Sequence, residues 1–222
     1  MPRELAPCRV MPEPTEVPSA PTQERTGQAS TPKGERRRQA LVEAASELLV
    51  ESGFAGIRHR AVAERAGLPL ASTTYYFSSI EELVERAVEY HGRTELAWGR
   101  DRLAELAESG DERLSRDELC ELVLDMLLGH NSRDGGLDVV LLRYERLVGS
   151  GRRPYLAPLM REMGDELHAL LVEILAQAGA PMSSAGMTRL IALIDGTVVN
   201  ALIEADTDPR GAARRVLRAE LP

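Results

Sequence analysis

The sequence predicts an all-α fold, for two reasons. Apolar residues recur at helical spacing from residue 35 onwards, and runs of Val, Ile or Thr that would favour strands are few. The chain has 222 residues and a hydrophobic content of 43%, which is enough for a sizeable core in one or two domains. Because aromatic residues make up only 4% of the chain, aliphatic side chains are expected to supply most of the packing.

Residues 1–31 differ in composition from the rest. Six prolines stand among Ser, Thr, Gln and Glu without hydrophobic periodicity, so this segment is predicted to be a disordered Pro-rich tail. An arm that follows an anionic polymer is one interpretation. A solvated tail is favoured, because Arg3, Arg9 and Arg25 are outnumbered by four Glu residues.

The first helix is predicted to begin at Thr31 and Pro32, which are typical of an N-cap and a first helical position. Its apolar stripe runs from Leu41 to Leu49, and Gly53 is expected to end it. A basic run at residues 33–38 opens this helix, where the helix dipole disfavours positive charge. Either an anionic partner or an ordinary solvated face explains that run.

Residues 57–83 contain two short helical patterns on either side of Gly67. Val62, Ala63 and Ala66 give the first pattern a small apolar face, and Gly67 suits a helix end in the left-handed conformation. Pro69 is acceptable in the first turn of the second pattern, which continues to Phe77 with small, hydroxylated and aromatic residues and no charge. The size and spacing indicate a helix-turn-helix.

The second helix of this pair has two interpretations. Thr and Ser can bond to base edges and Tyr hydroxyls can reach phosphates, so it would suit the DNA major groove. Alternatively it belongs to a surface hairpin whose Tyr76 and Phe77 fill a core. The residues alone leave both interpretations open, since short patterns of this kind recur by chance.

A family resemblance bears on this choice. Ala66-Gly67, then Ser72-Thr73-Thr74-Tyr75-Tyr76-Phe77, then Ser78-Ser79-x-Glu81-Glu82-Leu83 resemble the tetracycline-repressor (TetR) family of one-component regulators, over about Lys33 to His91. The resemblance implies a helix-turn-helix DNA-binding domain at residues 32–80 and a larger helical effector-binding and dimerisation domain at residues 81–222. The family often has Lys at the position of Ile80, so one phosphate contact common in the family is missing here.

The resemblance also implies which residues contact DNA. They lie at the start of the first helix, at the start of the second and along the third. The residues expected to contact DNA are Lys33, Arg37, His59, Arg60, Leu70, Ala71, Ser72, Thr74, Tyr75 and Tyr76.

The charge distribution agrees with a DNA-binding head. The net charge of the chain is -8. Residues 33–80 nevertheless carry seven Lys or Arg against five Glu, so the negative charge is concentrated in residues 81–222. Such a division would repel DNA from the body and present the head to it.

Further helices are predicted throughout residues 81–222. Ser79–Glu82 and Ser115–Glu118 have the S-x-x-E pattern of capping boxes, and Asp208-Pro209 is typical of the start of a last helix. Breaks are expected at residues 109–111, 131–136, 149–154 and 179–181. The resemblance implies that the last two helices form a four-helix dimer interface, although intramolecular packing would explain their apolar faces equally well.

A pocket between the body helices would be lined by apolar and soft side chains with a few polar groups. By residue type the candidates for an effector pocket are Trp98, Met126, His130, Tyr144, Met160 and Met163, and His168 is a further one. For each of them an ordinary core position is the more frequent role.

The sequence offers little support for other chemistry. The four His residues lack metal-ligand spacing, and no phosphate loop, G-x-S-x-G or Cys-His pairing is recognisable, so no metal, no cofactor and no catalytic residue is expected. Cys8 and Cys120 are expected to be free thiols in a reducing cytoplasm. No apolar run of about 18 residues stands out, so membrane insertion is not expected.

These observations predict a homodimeric, cytoplasmic transcriptional regulator that binds a palindromic DNA operator and responds to a small-molecule effector, more often as a repressor than an activator in this family. Two alternatives from other classes are a helical small-molecule-binding protein without DNA function and, less favoured, a helical-bundle enzyme.

Overall fold

The first three helices form a helix-turn-helix head, as the sequence predicts. The computed structural model describes residues 31–108, 114–134 and 136–221, and within these ranges every regular element is helical. The predicted tail, apart from Thr31, and the break predicted at residues 109–111 lie outside the described residues. The first three helices are α1 (Pro32–Gly56), α2 (His59–Arg65) and α3 (Ala71–Tyr76).

Both ends of the first helical stretch agree with the prediction. The Thr31 hydroxyl accepts a hydrogen bond from the Gly34 amide at 3.2 Å, which is the expected N-cap. Gly53 has φ of 62° and breaks the helical geometry, as predicted. A short further turn follows this kink, so α1 as a whole extends to Gly56. The extra turn is anchored by Phe54, whose ring lies 3.8 Å from the Arg153 guanidinium carbon.

The turn between α2 and α3 depends on Gly67. Its φ is 63°, and the following amide, that of Leu68, donates to the Ala63 carbonyl at 2.9 Å, which satisfies the end of α2. Pro69 lies outside α3 rather than in its first turn, which corrects the prediction. The Pro69 carbonyl accepts the Ser72 amide at 2.9 Å and so leads the chain into the helix that begins at Ala71.

The fourth helix, α4, spans Ile80–Glu108 without a break at Gly92. The Ser79 hydroxyl accepts the Glu82 amide at 3.1 Å, which is half of the predicted capping box. The other half is displaced by one residue, because the Glu82 carboxylate accepts the amide and the hydroxyl of Ser78, both at 2.7 Å. At about 1.5 Å per residue this helix is roughly 40 Å long.

The remaining helices form the body. They are α5 (Arg116–Leu128), α6 (Gly136–Ser150), α7 (Ala157–Gln177), α8 (Ser184–Ile203) and α9 (Pro209–Glu220), with short 3₁₀ turns at His130–Arg133 and Pro154–Leu156. The capping box at Ser115 is complete, since both reciprocal hydrogen bonds with Glu118 are present. The Asp208 carboxylate caps α9 by accepting the Gly211 amide at 2.7 Å.

The helices enclose two separate hydrophobic cores, one in the head and one in the body. The head core contains the buried stripe of α1, Val62, Phe77 and the first turns of α4, and Leu156 joins it from the second 3₁₀ turn. The body core is built mainly from α5, α7 and α8. Among the helices that the structure describes, α4 alone contributes buried residues to both, Leu83 to the head core and Leu96 to the body core. It therefore connects the two units through continuous helical backbone.

Helix α8 is apolar on two faces. Its 18-residue window has a mean hydropathy of 1.4, so by length and composition it could cross a membrane, and only 28% of that window is buried. The prediction that no apolar run of about 18 residues exists is therefore wrong. Arg189 and Asp195 lie within α8, but its other residues are apolar enough to keep the mean hydropathy of the window high. Leu190, Ile194 and Val198 face the body core, whereas the opposite face is solvent-exposed.

A buried ion-pair network attaches α9 to α5. Arg210 and Asp125 are each only 4% exposed. The Arg210 guanidinium donates to the Asp125 carboxylate at 2.8 Å, to Glu121 at 2.7 Å and to the Ser132 hydroxyl at 2.6 Å. Arg133 supplies a second cation to Asp125 at 2.9 Å. Such a network contributes to stability only while every member keeps its partners.

Replacing Arg210 with Leu should therefore lower the free energy of unfolding by about 3 kcal/mol, because Asp125 keeps only its more exposed partner Arg133. Chemical denaturation at a fixed protein concentration measures this. Arg215→Leu, at an exposed position of the same helix, is the matched control and should change stability by less than about 0.5 kcal/mol. Equal losses in the two variants would contradict a role for the network.

Candidate functional site

Helix α3 is held by two buried residues and leaves its outer face free. Thr73 is fully buried and Phe77 is 2% exposed, so both anchor the helix to the head core. The Thr73 hydroxyl also donates to the Leu70 carbonyl at 2.8 Å. Tyr75, between these anchors, is 70% exposed, and Leu70, which precedes Thr73, is 52% exposed. Large side chains that are exposed on a rigidly anchored helix are available for contact with another molecule.

The two tyrosines of α3 have different environments. Their rings meet edge to face with centroids 4.8 Å apart. Tyr76 is half-buried and packs against the head core, as the surface-hairpin interpretation expected of it, whereas Tyr75 projects outwards. The inner ring therefore supports the outer one, which limits the orientations that Tyr75 can adopt.

The residues expected to contact DNA differ in how far their side chains are exposed to solvent. Arg60 is exposed but forms an ion pair with Glu64 at 2.8 Å, and His59 is only partly accessible. Ser72 and Tyr76 are also partly buried. The exposed members are Lys33, Arg37, Arg60, Leu70, Ala71, Thr74 and Tyr75.

Two arginines of the head have structural partners. The guanidinium carbon of Arg38 lies 5.2 Å from the Phe77 ring centroid, which links the start of α1 to the end of α3. Arg65 bonds to Glu47 at 3.0 Å and to Glu51 at 2.6 Å, which fixes α2 on α1. The exposed basic side chains Lys33 and Arg37 remain at the start of α1.

A cavity of about 460 Å³ lies in the body beside α4. Residues of α1, α4, α5, α6 and α7 and of the first 3₁₀ turn line it. A volume of this size is within the range of small-molecule sites. Among the residues that the sequence suggested for a pocket, the cavity is lined by Trp98, Met126, His130, Met160 and Met163.

Tyr144 and His168 lie elsewhere. Tyr144 is 7% exposed and its hydroxyl donates to the Asp195 carboxylate at 2.7 Å, so it joins α6 to α8 within the core. Burial, assisted by that carboxylate, raises the pKa of Tyr144 well above its usual value. A nitrogen of the His168 ring lies 3.1 Å from the Ser184 carbonyl oxygen, which connects α7 to the start of α8.

Two glycines of α4 allow the methionines to approach the helix closely. A Cβ on Gly92 would lie 2.6 Å from the Met163 sulfur, and one on Gly99 would overlap the Met126 side chain. Gly92 and Gly99 are seven residues apart, so they lie on the same face of α4. The apolar wall of the cavity is therefore formed by flexible thioethers packed on bare backbone, which lets the wall adapt its shape.

The polar end of the cavity has four titratable side chains. Arg143 is 8% exposed and donates to the Leu127 carbonyl at 3.0 Å and to the Glu95 carboxylate at 2.5 Å. The His91 ring nitrogen lies 3.6 Å from the same carboxylate and 3.2 Å from the Arg146 guanidinium. Gly129, with φ of 82°, leaves room for this pair, since its Cβ would lie 3.3 Å from Arg143.

Burial and neighbouring charges shift the pKa values at this end. Burial lowers the pKa of His91 to about 4, so its ring is neutral near pH 7. Burial, together with the charge of Arg143, lowers the pKa of Arg146 to about 10. Burial of Glu95 opposes its ionisation, but the charge of Arg143 outweighs this and its pKa lies below the usual value.

Comparison with known proteins identifies the chain. Residues 41–87 match the model of the bacterial regulatory proteins of the tetR family, and residues 114–222 match the tetracyclin repressor-like C-terminal domain. The chain belongs to the TetR family. The head and the body described above therefore correspond to the two parts of a TetR-family regulator, and the all-helical fold agrees with this.

Solved structures give the same result. The multidrug binding protein EbrR, in complex with malachite green, is 30% identical over 84% of this chain and 98% of its own, with a TM-score of 0.53. The transcriptional regulator SCO7518 of Streptomyces coelicolor A3(2) is 27% identical over 83% and 96%, with a TM-score of 0.56. A TetR transcription regulator of Haloarcula marismortui, only 17% identical over 85% and 100%, shares the fold with a TM-score of 0.61. A search of curated proteins gave no significant match.

Apart from His130, the polar residues of the cavity in this TetR-family protein were not among those suggested by the sequence. His91, Glu95 and Trp98 share one face of α4 at helical spacing, and this spacing was a signal available in the sequence. Arg143 and Arg146 are three residues apart on α6. Within the described part of the chain, no group of three or more His, Cys, Asp or Glu could hold a metal ion.

The depressed pKa of His91 predicts a pH dependence of stability. Between pH 6.5 and about 4 the unfolded chain takes up a proton at His91 that the folded protein does not, so the free energy of unfolding falls as the pH is lowered through this window, by up to about 3 kcal/mol. Above pH 6.5 this contribution is constant. His91→Gln should remove it, which urea denaturation at pH about 7 and about 4.5 would measure. An unchanged stability difference between variant and wild type at the two pH values would contradict the buried neutral ring.

Proposed function

We propose that this TetR-family protein is a homodimeric, cytoplasmic transcriptional repressor. Its head, residues 32–80, binds a palindromic operator, and its body, residues 81–222, binds a small-molecule effector that releases the DNA. The observation that carries this proposal is the anchored but outward-facing α3, with Tyr75 70% exposed on a helix whose neighbours Thr73 and Phe77 are buried. The family is one of DNA-binding regulators, and α3 is the second helix of its helix-turn-helix.

The chemistry of the head supports contact with a major groove. A groove about 12 Å wide admits one helix, and the exposed Thr74 and Tyr75 offer hydroxyl groups to bases and phosphates. Lys33 and Arg37 at the start of α1 are exposed, so they are available to phosphates. Arg60 would exchange Glu64 for a phosphate in the complex, at little cost because the ion pair is exposed.

The outer face of α8 supports dimerisation. Leu193, Val199 and Ile203 are exposed by 43%, 39% and 76%, and the small, exposed Ala192 and Gly196 of the same helix allow close approach of another helix. A helix that is apolar all round is expected to be buried, and a two-fold interface would bury the second face. The last helix contributes less than the sequence suggested, since the apolar residues of α9 are buried within the protomer.

The position of the cavity supports coupling between effector and head. Leu49 and Val50 of α1 line it together with α4, so an occupant would contact both helices that lead to the head. Near the end of α1, Phe54 lies against α6, where a Cβ on Gly149 would be 3.2 Å from its ring. An occupant that moves α6 would therefore move α1. The operator affinity would fall by the coupling free energy between the two sites.

EbrR supports the assignment of the cavity to a small molecule. It is described as a multidrug binding protein, and its structures are complexes with malachite green, proflavin and ethidium. Trp98 and three methionines give the cavity of this protein aromatic and adaptable surfaces that suit an aromatic small molecule. TetR-family regulators generally have no enzymatic activity, and the proposal includes none.

Selection of random DNA fragments on the purified protein tests the DNA-binding function. We expect a palindromic site whose binding weakens steeply with salt, and Tyr75→Ala and Thr74→Ala should each weaken specific binding about tenfold or more. The proteins should remain folded, because both residues are exposed. Thr207→Ala, an exposed position in the body, is the matched control. Unchanged affinity in both head variants would contradict the assignment of α3.

Analytical ultracentrifugation tests the dimer. Leu193→Glu and Val199→Glu should each raise the dimer dissociation constant about 100-fold or more, because two-fold symmetry would bury two unpaired carboxylates in the interface. Val148→Glu places the same charge on α6 at a valine that is 71% exposed. A dimer that is weakened equally by all three substitutions, or by none, would contradict an interface through α8.

A further inference from the structure

The charges that line the body cavity are equal in number but are not equally paired. Four ionised side chains contribute to its wall, the carboxylates Glu95 and Asp125 and the guanidinium groups Arg143 and Arg146. His91 adds a ring whose pKa is lowered by burial, so it carries no charge near pH 7. The partners of each charge decide which of them remains available to a ligand.

Both carboxylates already have cations as partners. Asp125 is bonded to Arg210 at 2.8 Å and to Arg133 at 2.9 Å, and neither of these arginines lines the cavity. Glu95 is bonded to Arg143, whose Nε also donates to the Leu127 carbonyl. A cationic ligand would have to compete with a guanidinium at either carboxylate.

Arg146 has no such partner. Within the described part of the chain no carboxylate lies within 4.0 Å of its guanidinium, which contacts the neutral His91 ring at 3.2 Å, and Glu95 attracts it only from a longer distance. A guanidinium that is largely removed from water and has no directly bonded counter-ion is unfavourable. Burial and the charge of Arg143 lower the pKa of Arg146, and the more distant Glu95 only partly opposes them. Binding of an anion would offset that cost with charge-assisted, bidentate hydrogen bonds.

The opposite part of the cavity offers a largely apolar and aromatic surface. Trp98 follows His91 by seven residues on the same face of α4, which places them about 10 Å apart along the helix axis. Trp98 stacks on His130 with ring centroids 5.9 Å apart, and Met126 and Met163 complete this wall. An occupant of the whole cavity therefore contacts a positive group at one end and aromatic and thioether surfaces at the other.

We infer that the effector of this protein is an amphipathic organic anion, with a carboxylate or comparable acidic group bound by Arg146 and an apolar or aromatic body against Trp98. This assignment depends on the proposed function only in one respect, that the bound anion regulates DNA binding and so is an effector. Occupancy of the cavity by an anion is a property that can be measured without DNA.

A matched pair of fluorescent probes tests the inference. 8-Anilinonaphthalene-1-sulfonate is an aromatic anion, and N-phenyl-1-naphthylamine is the same ring system without the sulfonate. The wild-type protein should bind the anion about tenfold more tightly than the neutral probe, as expected for a hydrogen-bonded charge pair. It should also bind the anion more tightly than the planar aromatic cation acridine orange. Equal affinity for the anion and the neutral probe, or preference for the cation, would overturn the inference.

Substitutions locate the anion. Arg146→Met keeps an unbranched apolar side chain but removes the charge, so the affinity for the sulfonate should fall about tenfold while that for the neutral probe is unchanged. Arg152→Met, an exposed arginine outside the cavity, is the matched control and should change neither affinity. Met160→Trp should fill part of the cavity and weaken both probes, with thermal unfolding verifying that the variant is folded. Retention of anion binding in Arg146→Met or in Met160→Trp would overturn the inference.

The two proposals can fail separately. If the anion binds through Arg146 but the protein neither binds selected DNA nor releases it when the anion is added, the proposed repressor function fails and the assignment of the cavity stands. If the protein binds its selected DNA but shows no Arg146-dependent preference for the anion, the assignment of the cavity fails and DNA recognition stands.

Discussion

The structure depends on α4 as a rigid connection between two hydrophobic cores. Leu83 and Ala87 are fully buried in the head, and Leu96 is buried in the body, on one helix without a break. Arg93 and Arg100 on this helix form ion pairs with carboxylates of α7, which hold it along the body. Because an α-helix resists bending between its ends, a displacement at the body end changes the position of the head end.

The same helix also shapes the cavity, because two of its residues are glycines without side chains. Gly92 and Gly99 remove side chains from its inner face, and Met163 and Met126 occupy the space that results. A wall of methionines on bare backbone tolerates changes of ligand shape, whereas the charged end is constrained by the bonded pair of Glu95 and Arg143. Adaptable packing and fixed charge would together select a class of ligand by its charge and accept variation in its apolar part.

The arginines of this protein divide by their partners rather than by their position in the sequence. Arg65 and Arg210 are held by two carboxylates each and stabilise packing between helices. Arg37 and Arg146 have no carboxylate partner within the described part of the chain and remain available to anions, one on the head surface and one in the cavity. A basic residue therefore indicates function only after its neighbours are known.

The sequence by itself determined the features that arise within a few residues of the chain: the helical class, the caps at Thr31, Ser115 and Asp208, and the left-handed Gly67. Their hydrogen bonds join residues three to five positions apart, so a local pattern is sufficient to predict them. Only the tertiary structure decided the charged end of the cavity, because Glu95 and its partner on α6 are 48 residues apart. It also decided which face of α8 remains exposed, since both faces are apolar in the sequence and packing against the neighbouring helices buries only one.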